Sequence, residues 1–207
     1  MNKTLEYIIK KYKIDLNKRS PFNIDCGRWE KLPKLFKELK FKVGAEIGVL
    51  KGQYSELLCK TIPGLKMYCI DKWKKYPTYR DFRSQDTLDE YERVARKVLA
   101  RYDCIIMKAW SMDAVKVIDD SSLDFVWIDA NHEFQQVTND IAEWSKKVRP
   151  GGIVAGHDFF RSANSKLYVQ VKDVVQGWTY AYGIHPWFVL KDERTVSRGI
   201  SWMWVKE

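Results

Sequence analysis

The sequence lacks the features that mark several large classes of protein. Its four cysteines, Cys26, Cys59, Cys69 and Cys104, include no C-x-x-C pair and no zinc-type spacing, a pattern typical of free thiols in a reducing cytoplasm. Charged residues recur every few positions near the N-terminus, and no apolar run is long enough for a signal peptide or a membrane span. Internal repeats and low-complexity tracts are also missing. The sequence therefore predicts a cytoplasmic globular protein.

Positive charge is concentrated at the N-terminal end. The 207-residue chain has a formal net charge of +9. Residues 1–42 hold 12 Lys and Arg against 5 Asp and Glu, or +7, which leaves +2 for the rest of the chain. Such a region could contact an acidic partner, such as nucleic acid or a phosphorylated substrate. It could equally be the solvated face of helices that cover one edge of a sheet.

The apolar pattern divides the chain into two regions. Residues 1–40 predict a helical cap, with one amphipathic helix near the start, a loop over residues 20–27 and a second helix over residues 29–39. Residues 41–207 predict one domain, in which strands and helices alternate five times before a terminal hairpin. The aromatic and basic segment 73–82 could be a substrate lid, a contact for an acidic ligand, or a surface loop that packs its aromatic rings.

The segment 43–55 is the element around which this domain is arranged. An apolar strand pattern runs up to Gly48, Gly52 follows four residues later, and a helical pattern then begins. This is typical of a βα turn that binds a nucleotide, because glycine lets a ligand lie directly on the backbone. The dinucleotide fingerprint requires a glycine where Glu46 stands, so a nicotinamide or flavin cofactor is disfavoured. A glutamate at this point instead suits a ligand with a cationic amino group.

Polar residues end the later strands as well. Asp71 closes the strand that follows the glycine turn, where an acidic residue can accept hydrogen bonds from ribose hydroxyls. The continuous apolar run 123–128 predicts a strand buried on both faces, and it stops at Asp129 and His132. The next short strand ends at His157 and Asp158. Because the ends of adjacent parallel strands face one crevice, we expect these groups to lie together.

The order and spacing of these motifs resemble the class I S-adenosylmethionine-dependent methyltransferases, and within them the branch of small-molecule and sugar O-methyltransferases. The resemblance covers about residues 41–207. It implies a Rossmann-like three-layer α/β/α sandwich. Its mostly parallel sheet would have seven strands in the order 3-2-1-4-5-7-6, with an antiparallel terminal hairpin.

The resemblance also implies roles for individual residues. Six would bind the cofactor S-adenosyl-L-methionine: Glu46, Gly48 and Gly52 at its methionine part, Asp71 at the ribose, and Trp110 and Ser111 at the adenine. Asp129, His157 and Asp158 occupy the positions that hold a divalent cation, Mg²⁺ or Mn²⁺, in metal-dependent members. The family has an acid where His157 stands, and this departure disfavours Mg²⁺. His132 matches a general base, with Asp129 as its partner; it could also be a surface residue at a helix start.

Three functions are compatible with these observations. The first is O-methylation of a hydroxyl on a small molecule or sugar, with or without a metal. The second is methylation of a nucleic-acid ribose, suggested by the basic N-terminal region; the D/N-P-P motif of amino-methylating DNA enzymes does not follow the fourth strand. The third is a non-catalytic binding module on the same fold. The sequence does not identify the acceptor or the oligomeric state.

Overall fold

The computed structural model describes residues 2–76, 84–164, 167–191 and 200–207. The strands are β1 (Phe22–Asp25), β2 (Val43–Ile47), β3 (Lys66–Asp71), β4 (Cys104–Lys108), β5 (Leu123–Ile128), β6 (Val148–Gly156), β7 (Ser162–Asn164), β8 (Leu167–Val169), β9 (Trp187–Lys191) and β10 (Ser201–Val205). The α-helices are α1 (Lys3–Tyr12), α2 (Lys31–Glu38), α3 (Gln53–Thr61), α4 (Gln85–Leu99), α5 (Ser111–Ala114), α6 (Phe134–Lys147) and α7 (Val171–Ala181).

The main sheet has eight strands in the order β1-β9-β10-β6-β5-β2-β3-β4. Without β1, and with the other strands numbered along the chain, this is the predicted order 3-2-1-4-5-7-6. The strands from β6 to β4 pair in parallel, and β10 runs antiparallel to both β6 and β9. The predicted mostly parallel sheet with an antiparallel terminal hairpin is therefore confirmed, while the connection 192–199 lies outside the described residues.

Helices cover both faces of the sheet. Helices α1 to α4 pack their apolar side chains on one face of the sheet, and α5 to α7 pack theirs on the other. Each face has one buried apolar cluster. The amphipathic pattern of α1 buries Leu5 and Ile8, and the Asn2 side chain caps the helix by accepting a hydrogen bond from the Leu5 amide. The three-layer prediction is confirmed. Within the described residues, no helix has the length and apolarity needed to cross a membrane.

The prediction of a loop over residues 20–27 is wrong. Phe22–Asp25 forms β1, which pairs in parallel with β9 and extends the sheet by one strand. Phe22 and Ile24 point into the core while Asn23 and Asp25 face outward. Loop-forming residues surround this short alternation, and the backbone partner of β1 lies more than 160 residues away along the chain. The two-region division of the chain stays a prediction, although β1 and the buried face of α1 tie the N-terminal region to the main core.

Candidate active site

The carboxyl ends of five adjacent strands bring the predicted residues to one edge of the sheet. In sheet order these strands are β6, β5, β2, β3 and β4. They carry, respectively, His157 and Asp158, Asp129 and His132, Glu46 and Gly48, Asp71, and Trp110 and Ser111. Backbone hydrogen bonds continue beyond the strand ends, from the Asp129 amide to Ile47 O at 2.8 Å and from the His157 amide to Ile128 O at 3.0 Å. These bonds hold the polar groups in register.

The glycine turn is tied to the end of β3 by Asp71. One carboxylate oxygen of Asp71 accepts the Leu50 amide and the other accepts the Trp73 amide, both at 2.8 Å. The Trp73 indole returns a hydrogen bond to Leu50 O at 2.7 Å. Each carboxylate oxygen has further acceptor capacity. Asp71 is therefore a structural clamp that can still accept hydrogen bonds from a ligand hydroxyl.

Gly48 and Gly52 have different reasons to be glycine. Gly48 has φ +95, and a Cβ there would lie 2.1 Å from Asp129 O. A residue with a Cβ therefore does not fit at the point where β2 and β5 end together. Gly52 has φ +78 and starts α3. The first glycine thus allows two strand ends to approach, and the second allows the turn into the helix.

Glu46 is almost completely buried, at 3% exposure. The pKa of Glu46 is raised to about 8, mainly by burial and to a lesser extent by the Asp129 and Asp71 carboxylates, while the hydrogen bond donated by the Ser55 hydroxyl opposes the rise. The group stays mainly neutral at pH 7 unless a cation approaches it. A cationic ligand in the crevice would therefore bind together with loss of the Glu46 proton.

Two carboxylates and two imidazoles form a compact cluster at the ends of β5 and β6. His132 Nε2 lies 3.0 Å from Asp158 Oδ2 and 3.7 Å from Asp129 Oδ1. His157 Nδ1 lies 3.0 Å from Asp158 Oδ1 and 3.8 Å from Asp129 Oδ1. One ligand atom each from Asp129, His132 and Asp158 lies within 4.8 Å of the others, a grouping able to hold a metal ion. This grouping contains His132, whereas the role of His157 as a ligand stays a prediction.

The charged groups of the cluster shift one another's pKa values. Burial lowers the pKa of His132, but the Asp129 and Asp158 carboxylates outweigh burial and raise it to about 10. Burial raises the pKa of Asp158, yet His132 and His157 hold it well below its usual range. Asp158 also has φ 53, a left-handed conformation that is uncommon for aspartate and is often retained at functional sites.

Arg28 belongs to the site and was not predicted from the sequence. Its Nη1 donates to Asp129 Oδ2 at 2.8 Å, with the two side chains 20% and 23% exposed. It comes from the basic N-terminal region, whose excess charge was the one available signal. No motif separates it from the other 11 basic residues of that region.

Trp110 presents an aromatic surface at the end of β4. It is 42% exposed, and Lys72 Nζ lies 3.0 Å from the centre of one of its rings. The Tyr76 ring meets it edge-on at 4.8 Å, and the Tyr76 hydroxyl accepts a hydrogen bond from Asn131 at 2.9 Å. The aromatic and basic segment 73–82, for which a lid, a ligand contact and a surface loop were the alternatives, begins here, and its Trp73 is buried in the core. Residues 77–83 lie outside the described part of the chain.

The Ser111 side chain faces helix α6. Its hydroxyl donates to Asp140 and accepts from the Trp144 indole at 2.7 Å. A role of Ser111 beside adenine therefore stays a prediction that would use other atoms of this residue. Asp140 is buried at 4% exposure on the apolar face of α6, and burial raises its pKa to about 7.

Asp140→Asn is expected to stabilise the protein in a pH-dependent way. The pKa of Asp140 is raised in the folded state, so the unfolded chain loses this proton near pH 4 while the folded chain keeps it until about pH 7. The free energy of unfolding of the wild type therefore falls across that interval by about 1.4 kcal/mol per pH unit. The variant has no titrating group at this position, so it does not lose this stability, and it still accepts the hydrogen bond from Ser111. Urea unfolding of both proteins at several pH values measures the difference, and a gap that does not change with pH would contradict this account.

Taken together, a glycine turn, an acid at the next strand end and a carboxylate cluster across β5 and β6, on a sheet of this order, define a class I S-adenosylmethionine-dependent methyltransferase. The chain belongs to the methyltransferase domain family, whose sequence model matches residues 45–159. It is thus an enzyme of that class. No curated protein sequence matches the chain.

Solved structures share the fold at low sequence identity. The O-methyltransferase from Bacillus cereus in complex with SAH is 16% identical with a TM-score of 0.59, covering 100% of this chain and 92% of that chain. TomG from Streptomyces achromogenes, an O-methyltransferase involved in tomaymycin synthesis and solved with SAM, is 16% identical with a TM-score of 0.60, covering 100% and 91%. An rRNA methylase from Streptococcus thermophilus is 10% identical with a TM-score of 0.58, covering 85% and 95%. Likeness at this identity establishes the fold alone.

Proposed function

We propose that this enzyme transfers a methyl group from S-adenosyl-L-methionine to a hydroxyl oxygen of a small molecule or sugar, with a divalent cation bound beside that oxygen. The observation that carries the proposal is the cluster of Asp129, His132 and Asp158, which lies next to the glycine turn at the same sheet edge. Methyl transfer needs the acceptor oxygen aligned behind the methyl group and relieved of its proton. A turn for the cofactor beside a polar cluster meets both needs.

The cofactor would occupy the crevice over β2, β3 and β4. Asp71 would accept hydrogen bonds from the ribose, and Gly48 and Gly52 would leave the backbone accessible to the methionine part. Glu46 would face its amino group, whose positive charge favours the ionised carboxylate, against the effect of burial on the pKa of Glu46. The exposed face of Trp110 and the start of α5 at Ser111 would border the adenine.

The residues of the cluster fit a divalent cation. His132 Nε2 faces two carboxylates, with Asp158 Oδ2 at 3.0 Å and Asp129 Oδ1 at 3.7 Å, so an imidazole nitrogen and carboxylate oxygens converge on one point. At neutral pH a proton on His132 supplies the positive charge that these carboxylates require. Asp129, Asp158 and His132 would hold the ion, with His157 as a further candidate ligand. A set that includes an imidazole shifts preference from Mg²⁺ toward Mn²⁺. When bound, such an ion stabilises a deprotonated acceptor oxygen.

His132 has a second candidate role as the general base, with Asp129 as its orienting carboxylate. The raised pKa of His132 opposes this role in the absence of a cation, because an imidazolium has no lone pair to accept a proton. The two roles differ in a measurable way. A ligand role predicts that His132 contributes to Mn²⁺ affinity, whereas a base role predicts that it contributes only to the rate.

The proposal is tested by binding and then by turnover. Calorimetry with S-adenosylhomocysteine is expected to give micromolar-range affinity. Transfer of a labelled methyl group to a panel of sugars, phenols and RNA then identifies the acceptor class. EDTA is expected to abolish transfer, and Mn²⁺ is expected to restore it more fully than Mg²⁺. Full activity in EDTA would remove the cation from the mechanism, and absence of cofactor binding would overturn the proposal as a whole.

Asp71→Ala is expected to weaken S-adenosylhomocysteine binding by about 1.5 to 3 kcal/mol, the usual contribution of hydrogen bonds to a charged group. It should also lower the melting temperature, because the Leu50 and Trp73 amides lose their acceptor. Asp71→Asn keeps one acceptor oxygen and serves as the comparison, with an intermediate loss of affinity. Equal calorimetric affinity for Asp71→Ala and wild type would contradict the assignment of Asp71 to the ribose.

Methylation of a nucleic-acid ribose is the second candidate. The +7 charge of residues 1–42 and the fold shared with an rRNA methylase favour it. Phosphate contacts make binding steeply salt-dependent. RNA binding that weakens steeply with salt, together with transfer to RNA in the panel, would select this candidate. The location in the cytoplasm and a contact of the N-terminal region with an acidic partner also stay proposals.

A further inference from the structure

Arg28 is the residue through which the N-terminal region contacts the cluster at the ends of β5 and β6. Its guanidinium carbon lies 4.8 Å from the centre of the Trp29 ring while its Nη1 contacts Asp129. Trp29 meets the Tyr54 ring edge-on at 5.9 Å and is itself 45% exposed. The described contacts use one of the several N–H donors of a guanidinium. The rest of its edge is therefore available to a ligand that enters past Trp29.

Four polar atoms, in a connected group of residues that includes His157 of the cluster, are buried with no hydrogen-bond partner in the described part of the chain. They are Tyr54 OH, Trp127 Nε1, His157 Nε2 and Ser201 Oγ. The Trp127 ring lies 4.7 Å from the Tyr54 ring and 6.4 Å from the His157 ring. Ser201 lies beside His157, because Trp202 pairs with Gly156 in the antiparallel register of β10 and β6. The four residues form a strip that runs from α3 across the ends of β5 and β6 to the start of β10.

The chemistry of this strip selects an oxygen acceptor. Buried polar groups in folded proteins normally have partners, so several neighbours without one require an explanation, and a bound anion is one that fits donors. The Trp127 indole can only donate. Burial, and then the Glu46 carboxyl, hold the pKa of Tyr54 well above its ordinary value, so its phenol also donates. These donors are joined to the Arg28 guanidinium through Trp29. Such a set matches an anionic oxygen group, because a hydrogen bond to an ion is roughly twice as strong as a neutral one.

We propose that Arg28, with Tyr54 and Trp127, binds an anionic oxygen group of the methyl acceptor, a carboxylate or a phosphate, and so makes anionic hydroxyl compounds the preferred substrates. This specificity rests on the proposed methyl transfer at the same site. Arg28 recognises the acceptor while Asp129, its partner in the structure, is a ligand of the reaction centre. The hydroxyl to be methylated would then lie on the Asp129 side of the anion.

The test measures anion binding to protein saturated with S-adenosylhomocysteine, so that the carboxylate of the cofactor cannot account for the signal. Calorimetry with benzoate and with inorganic phosphate distinguishes the two anions, and benzamide is the neutral counterpart of benzoate. The variants are Arg28→Gln, Arg28→Lys and Tyr54→Phe. Arg19→Gln is the matched control, because it removes the same charge from an exposed position in the same region.

At least one anion is expected to bind the wild type, with benzamide much weaker than benzoate. Arg28→Gln should weaken that binding about tenfold or more, Arg28→Lys should fall between, and Arg19→Gln should match the wild type. Tyr54→Phe should weaken it without lowering the melting temperature, because the removed hydroxyl has no partner among the described residues. Absence of binding by both anions, equal binding by Arg28→Gln, or binding that disappears on saturation with S-adenosylhomocysteine would overturn the inference. Failure of S-adenosylhomocysteine itself to bind would instead count against the proposed function.

Discussion

Replacement of His132 by alanine is expected to lower kcat for methyl transfer by about 10² to 10⁴, with the affinity for S-adenosylhomocysteine unchanged. His132 Nε2 stands between the carboxylates of Asp158 and Asp129, at 3.0 and 3.7 Å. Both proposed roles, cation ligand and base, place it at the reacting oxygen. The cofactor residues lie on other strands and keep their hydrogen bonds. Single-turnover methyl transfer and calorimetry measure the two quantities separately.

The matched control is His185→Ala. His185 is exposed and contacts Ser20 near the start of β9, away from the ends of β5 and β6. Its activity should equal that of the wild type. Mn²⁺ titration then separates the two roles of His132, since weakened affinity in His132→Ala indicates a ligand and unchanged affinity indicates a base. A fully active His132→Ala protein would show that His132 has neither role and is only a residue of the loop that precedes α6.

The stability of His132→Ala carries a pH signature in metal-free protein. The pKa of His132 is raised to about 10 in the folded state, above its ordinary 6.5. A histidine stabilised in its protonated form contributes in full below the unfolded pKa and loses that contribution as pH rises through the folded pKa. The variant should therefore be less stable than the wild type near neutral pH, and the difference should shrink toward about pH 10. Chemical unfolding in EDTA measures it.

Replacement of Gly48 by alanine is expected to reduce the free energy of unfolding by more than about 4 kcal/mol, or to prevent folding. Two independent costs combine at this position. A φ of +95 is unfavourable for any residue with a side chain, and the new Cβ would lie 2.1 Å from the backbone oxygen of Asp129. Relief of that overlap would require β2 and β5 to separate at the point where the site is assembled. Loss of cofactor binding and loss of folding should therefore appear together.

Gly64→Ala separates the two costs. Gly64 also has positive φ, at +73, but a Cβ there meets nothing within 4 Å. The Gly64→Ala variant should therefore lose only the free energy that a positive φ costs a residue with a side chain, about 1 to 2 kcal/mol. Urea unfolding of the two variants measures the difference, which reports the steric overlap alone. Equal losses would mean that the strand ends move apart easily and that Gly48 does not enforce their approach.

The core of the fold was readable from the sequence because each of its signals is local. The apolar run 123–128, the glycine turn after β2 and the acid at the end of β3 each depend on residues close together in the chain. Parallel strands then place their carboxyl ends at one edge whatever the loop details. The strand order followed from the resemblance that these motifs carry. Strand β1 was missed because a short alternation among loop-forming residues becomes a strand only when β9 supplies its hydrogen-bond partners.

The site required the tertiary structure wherever a residue acts across a long separation. Arg28 reaches Asp129 from 101 positions earlier in the chain, and no local pattern distinguishes it from other basic residues. The Ser111 hydroxyl is directed to Asp140 by the packing of α5 on α6, and burial alone raises the pKa of that acid. The proximity of His132, Asp129 and Asp158 was expected from the strand ends, but the distances that make His132 a member of the ligand grouping depend on how two loops fold.

By itself, the sequence determined the strands and the edge at which the chemistry lies, because apolar periodicity marks each strand and parallel strands end at one edge. The class of enzyme and the order of the sheet followed from the resemblance that its motifs carry. Only the tertiary structure decided which side chains at that edge face one another, which of them lose their solvent and which keep unpaired donors. Those outcomes depend on distances and burial between residues far apart in the chain, and no spacing along the sequence encodes them. That is why the glycine turn and Asp71 could be located in advance, whereas Arg28, Asp140 and the strip from Tyr54 to Ser201 could not.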